Sequence, residues 1–154
     1  MTDTASRSER LLVFDGDDTF WDTQELYTAA KTRIFEYLER FGGSPARIAE
    51  YFEAEDIGNV ATLGFTLRRF ERSIRDTIEA FCPPGLEESW NVDASIASVL
   101  ESIEEGPTPL VSGARRLLDD LESLYRLVLM TKGDPILQEH RISSSGTDSE
   151  SIRR

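Results

Sequence analysis

The stretch LLVFDGDDTFWD, residues 11 to 22, carries four aspartates, Asp15, Asp17, Asp18 and Asp22, directly behind the apolar run Leu11 to Phe14. Like charges repel at the end of a hydrophobic element, and desolvation there is costly. Asp15 and Asp17 stand two apart, so extended backbone would bring both carboxylates to one face. Such a pair can divide labour as nucleophile and general acid/base, provided a cation relieves the repulsion. A calcium loop is a poor fit. Starting that template at Asp15 puts Phe20 where glycine is required and Leu26 where the closing glutamate belongs. A solvated acidic loop explains the aspartates but not the threonine that follows a second apolar run.

The elements that must hold these residues are legible from periodicity. Leu11 to Phe14 reads as a buried strand. Leu26, Ala30, Ile34, Leu38 and Phe41 then recur at helical spacing until Gly42 and Gly43 stop the pattern. Ser44 and Pro45 supply an N-cap and a first-turn proline for a short second helix carrying Ile48, Ala49 and Phe52. A third helix within 63–81 presents Leu67, Phe70, Ile74 and Ile78, and Pro83, Pro84 and Gly85 break it. Asn91 or Asp93 can cap a fourth, with Val92, Ile96, Val99, Leu100 and Ile103 as its stripe, before the interruption from Gly106 to Pro109. Ser112 can cap a helix with Ala114, Leu117, Leu118, Leu121 and Leu124, and a second apolar run, Leu127 to Met130, ends at Thr131.

Two continuously apolar strands joined by a long crossover predict neighbours in a parallel sheet covered on both faces, an α/β arrangement. Ligands of such sheets bind beyond the carboxyl ends of the strands, which brings Asp15 and Thr131 to one site. The expected organisation is an incomplete α/β core over 10–22 and 107–142, an all-helical insertion over 23–106, and flexible tails at 1–9 and 143–154, the latter rich in serine.

Composition narrows the function class. The 154 residues suffice for one domain, and 29 acidic against 17 basic residues leave a net charge of -12. That charge argues against nucleic acid or an anionic membrane as partner. No apolar run approaches the roughly 20 residues of a membrane-spanning helix. The polar start MTDTASRSER lacks a secretion signal's apolar stretch, and a single cysteine, Cys82, cannot form an internal disulfide, so a cytoplasmic location is expected.

With these residues in place, LVFDGDDTFWD resembles the first motif of the haloacid dehalogenase-like (HAD) hydrolases, an apolar strand followed by Asp-x-Asp-x-Thr, here Asp15, Asp17 and Thr19. PLVSGARRLLDDLESLYRLVLMTKGD is similar to that family's return to the core and second motif, here Thr131. The helical insertion matches the position of the family's cap, and the chain resembles the N-terminal part of a capped, phosphatase-type member, shortened at its end. The resemblance implies a partial Rossmann-like core with a helical cap. It implies that Asp15 attacks phosphorus to form an aspartyl-phosphate and that Asp17 protonates the leaving oxygen and then activates water. It implies Mg2+ held by Asp15 and the backbone carbonyl of Asp17, an ion suited to carboxylate, carbonyl and water oxygens. Thr131 would bind a phosphoryl oxygen. Arg141, near where the family's lysine is expected, and Lys132 are the candidate balancing cations, and a small phosphorylated molecule the substrate.

The family's later acidic strand has no counterpart in this sequence. The alternative function is therefore a catalytically inactive domain serving as a binding or interaction module. Missing strands would also leave an open hydrophobic edge, so self-association through it is expected. Gly16 would let backbone approach a ligand, while Phe20 and Trp21 read as core. His140 reads as a surface helix residue and Cys82 as a small buried one. Arg68, Arg69 and Arg72 form a solvated helix face or, less simply, contacts to an anionic substrate group.

Overall fold

The computed structural model of the chain describes residues 10–83, 91–146 and, for the backbone alone, 152–153. The segment 1–9, the helix-breaking Pro84 and Gly85, and 147–151 with Arg154 of the expected tail lie outside them. The elements run β1 (Leu11–Asp15), α1 (Thr23–Glu39), α2 (Pro45–Leu63), α3 (Leu67–Phe81), α4 (Val92–Glu104), α5 (Ala114–Glu122), β2 (Arg126–Met130), α6 (Pro135–Ser144) and β3 (Ile152–Arg153). They divide into two compact units, Leu26–Glu105 and the remainder on either side of it.

The helical unit is built on the stripes expected of it. Ala30, Ile34 and Leu38 of α1, Ile48 and Phe52 of α2, Phe70, Ile74 and Ile78 of α3, and Ile96, Val99 and Ile103 of α4 form one buried cluster with Cys82. Each full burial of such a side chain contributes about 1.5–3 kcal/mol relative to exposure. Asn91 caps α4, its side chain accepting from the Ala94 N–H at 3.0 Å. The second helix is not short: α2 runs on through Leu63, and Thr66 caps α3 by accepting from the Arg69 N–H at 3.3 Å. Part of the charge is paired within the unit. Arg69 pairs with Asp56, and Arg72 reaches Asp76 at 2.9 Å, so both of these arginines already have carboxylate partners on their own helix pair.

In the α/β unit β1 and β2 are parallel, with Val13 opposite Val128 and Asp15 opposite Met130. Alternation places Leu12, Phe14, Leu127 and Leu129 on one face. There they pack with Phe20, Trp21, Ala114, Leu118 and Ile142. The other face departs from the expectation of a sheet covered on both sides. Leu11, Val13 and Met130 remain 56%, 47% and 63% exposed, because no described helix packs over them. Helix α5 begins at Ala114 rather than behind Ser112, its N-cap being Gly113 at φ +85°, a left-handed conformation that glycine adopts without strain. Leu117 on that helix is exposed.

The tail expected from Ser143 is corrected for its described residues. Ser143 and Ser144 complete α6, and Ile152–Arg153 pairs in parallel with β2, giving the sheet order β1-β2-β3. The cause is a set of long-range bonds that serine content does not reveal. Trp21 donates its indole N–H to Ser145 Oγ at 3.0 Å, Ser144 donates to Thr108 at 2.9 Å, and Arg115 donates to the carbonyls of Ser145 and Gly146 at 2.9 and 2.8 Å.

Candidate active site

Strand β1 stops at Asp15 because the chain turns at once. The Gly16 carbonyl accepts from the N–H groups of Thr19, Phe20 and Trp21 at 3.3, 3.0 and 3.1 Å, and Asp18 sits at φ +58° in the left-handed region that aspartate tolerates better than most residues. Gly16 is required here by the fold. A Cβ on it would lie 2.5 Å from Cζ3 of Trp21, so the backbone approaches an indole, where the sequence suggested a ligand. Trp21 is fully buried, and the returning chain is laced to this turn, Asp22 N–H donating to the Pro109 carbonyl at 2.9 Å and Val111 N–H to that of Phe20 at 2.8 Å.

The four aspartates separate into two pairs by their partners. Asp18 accepts from the Thr23 hydroxyl at 2.6 Å and the Gln24 N–H at 3.0 Å, and Asp22 accepts from the Glu25 N–H at 3.1 Å. These two satisfy the first-turn donors of α1, where negative charge is also favoured by the helix dipole. Among the described residues Asp15 and Asp17 take no part in this cap. Asp15 ends its strand exposed, and no described residue hydrogen-bonds its carboxylate.

Asp17 is held from α6. Arg141 Nη1 donates to Asp17 Oδ1, and Gln138 Nε2 donates to Asp17 Oδ2 at 3.2 Å. Arg141 is 3% exposed, and its Nε has no partner among the described residues. Gln138 was not legible as a site residue. It accepts from the Thr131 hydroxyl at 2.9 Å and donates to the Lys132 carbonyl at 3.1 Å, which joins the ends of the two strands through one amide. A signal existed: Gln138 and Arg141 lie three apart on α6, on the face that also carries Ile142, so polar groups occupy an otherwise apolar stripe. The sequence candidates thus fall as follows. Thr131 and Asp17 are brought together through Gln138, and Arg141 contacts Asp17 in place of an anion. Lys132 contributes its carbonyl to the network and is an exposed residue. His140 is half-buried, its Nε2–H donating to the Gly106 carbonyl at 2.9 Å.

The donor set for a divalent ion is small. Among the described residues no three His, Cys, Asp or Glu side chains converge as metal ligands. The exposed Asp15 carboxylate with the Asp17 carbonyl fits Mg2+, an ion usually held by one or two carboxylates plus water and substrate oxygens, and fits Zn2+ or Ca2+ cages poorly.

No protein-family model and no curated protein matches the sequence. Solved structures do. A haloacid dehalogenase-like family hydrolase from Xanthomonas campestris superposes with a TM-score of 0.71 at 26% identity, over 94% of this chain and 59% of that one. The fold is that of the haloacid dehalogenase-like hydrolases. The HAD-hydrolase YfnB from Bacillus subtilis, in a magnesium-bound structure, gives a TM-score of 0.59 at 21% identity, over 90% of this chain and 60% of that one. L-2-haloacid dehalogenase from Xanthobacter autotrophicus, with chloropropionic acid covalently bound, gives 0.55 at 13% identity, over 93% and 54%. The chain therefore spans less than two thirds of the length of the HAD-like proteins it matches. As in the expected arrangement, its core is a parallel α/β sheet and its helical insertion follows the first strand.

Proposed function

We propose that this chain carries the nucleophile and phosphoryl-binding elements of a Mg2+-dependent HAD-like phosphohydrolase acting on a small phosphate ester. One observation carries the reading: an Asp15 without a hydrogen-bond partner among the described residues at the end of β1, in register with β2, two residues before an Asp17 that is tied through Gln138 to Thr131. Asp15 would attack phosphorus as the ester P–O bond breaks, and Asp17 would give its proton to the departing oxygen. Asp17 would then take a proton from water as that water releases phosphate and regenerates Asp15. Thr131 would donate its hydroxyl hydrogen to a phosphoryl oxygen. Asp15 and the Asp17 carbonyl would hold Mg2+, which would supply charge neutralisation when bound. A dehalogenase would need the nucleophile but no general acid for an oxygen leaving group, so Asp17 favours phosphate esters over haloacids.

A second reading has its own support. Both Asp17 oxygens are engaged, one by a buried guanidinium, and a proton donor must leave at least one of those bonds. That favours a non-catalytic binding module. Mg2+-dependent release of phosphate from a generic aryl phosphate, with Asp15→Asn as the control, decides between the two. Activity abolished by the substitution supports the hydrolase; no activity in folded protein supports the module, and activity that survives the substitution removes Asp15 as nucleophile.

A further inference from the structure

Gln138 has an amide whose orientation is dictated by its neighbours. The Lys132 carbonyl at 3.1 Å can only accept, as does Asp17 Oδ2 at 3.2 Å while that carboxylate is ionised, so the nitrogen faces them and both its hydrogens are used. The oxygen therefore faces Thr131 Oγ1 at 2.9 Å, and the single hydroxyl hydrogen of Thr131 points at Oε1. The residue is 7% exposed, so water is a poor substitute for any of these partners. The loop between β2 and α6 is moulded to it: a Cβ on Gly133, which sits at φ +125°, would lie 3.3 Å from Gln138 Nε2.

We propose that Gln138 is a positioning residue that relays the state of the Thr131 hydroxyl to the Asp17 carboxylate. This rests on the reading of Thr131 as the phosphoryl contact and Asp17 as the acid/base given above. With no anion present, Thr131 donates to Gln138. A phosphoryl oxygen that takes this hydrogen leaves Oε1 buried without a donor. The amide then relieves itself only by turning, and turning withdraws Nε2 from Asp17 Oδ2. Binding of the anion is thereby coupled to release of the carboxylate that must next handle a proton, while Arg141 keeps hold of its other oxygen. The same coupling makes Gln138 a competitor of the substrate.

Two measurements on the 154-residue chain test this. Inorganic phosphate, titrated in the presence of Mg2+, should bind Gln138→Met about two- to tenfold tighter than the unchanged protein, because one hydrogen-bond competitor is gone. Damage to the fold would lower the number of sites and could not tighten the constant. Unchanged or weaker affinity removes the competition. Without phosphate, the Asp17 carboxyl carbon, followed by carbon NMR, should shift on Thr131→Val in the otherwise unchanged protein and stay fixed when Thr131→Val is made on Gln138→Met. No shift in the first background, or equal shifts in both, overturns the relay. If phosphate binds neither protein while the carbon responds through Gln138, the relay stands and the phosphate reading falls. If phosphate binds both equally and the carbon is silent, the relay falls and the phosphate reading stands.

Discussion

The helical unit and the α/β unit satisfy their apolar residues by different means. In the first, four helices drawn from one continuous stretch close a core from Ala30 to Ile103, and the stripes are visible as local periodicity. In the second, a five-residue strand meets its partner more than a hundred residues later, and its sheet is clothed on one face while Leu11, Val13 and Met130 look outward on the other. Helices complete their backbone hydrogen bonds internally, whereas a strand needs neighbours on both sides. Among the described residues β1 pairs only with β2. Ile57 and Phe65 of the helical unit are exposed too, but among the described residues only the unit that carries the candidate chemistry has a strand edge without a neighbour.

Substitutions can break or sharpen this contrast. The largest effect is expected from Trp21→Ala, which empties a fully buried site and removes the bond to Ser145; about 3–5 kcal/mol should be lost, read as a lower urea midpoint. Ile74→Ala in the helical unit should cost about 2–5 kcal/mol. If the two units unfold separately, two transitions will appear, and each substitution will move only its own. Arg141→Met leaves Asp17 without its guanidinium partner, and because Asp17 is 32% exposed the loss should be about 1–3 kcal/mol, less than for a fully buried pair. Asn91→Ala removes one cap and should cost about 1 kcal/mol. Val13→Lys on the exposed face should change stability by no more than about 0.5 kcal/mol. We propose that the open β1 edge mediates self-association, so the same change should shift light-scattering mass toward the monomer; mass independent of Val13→Lys would remove that edge as the interface.

Legibility in the sequence followed the same divide. The stripes of α1, α3 and α4 and the Asn91 cap could be read because their causes lie within a turn or two of each other. Both strands and their parallel pairing followed from bare apolar runs with a long connection. What escaped was non-local. Gln138 meets Asp17 from 121 positions away, and no spacing rule links a lone amide to a carboxylate at that separation. The placement of Ser144 to Gly146 escaped for the same reason, since it depends on Trp21, Thr108 and Arg115. Asp18 and Asp22 were given no role in the sequence, although aspartate ahead of a helical stripe is itself an N-terminal signal.

The indole of Trp21, hydrogen-bonded to Ser145 just past the end of α6, offers the molecule an optical gauge. In a Trp90→Phe background its fluorescence belongs to one site, and a shift toward red emission that precedes the fall in circular dichroism would time the lifting of α6, the helix that grips Asp17.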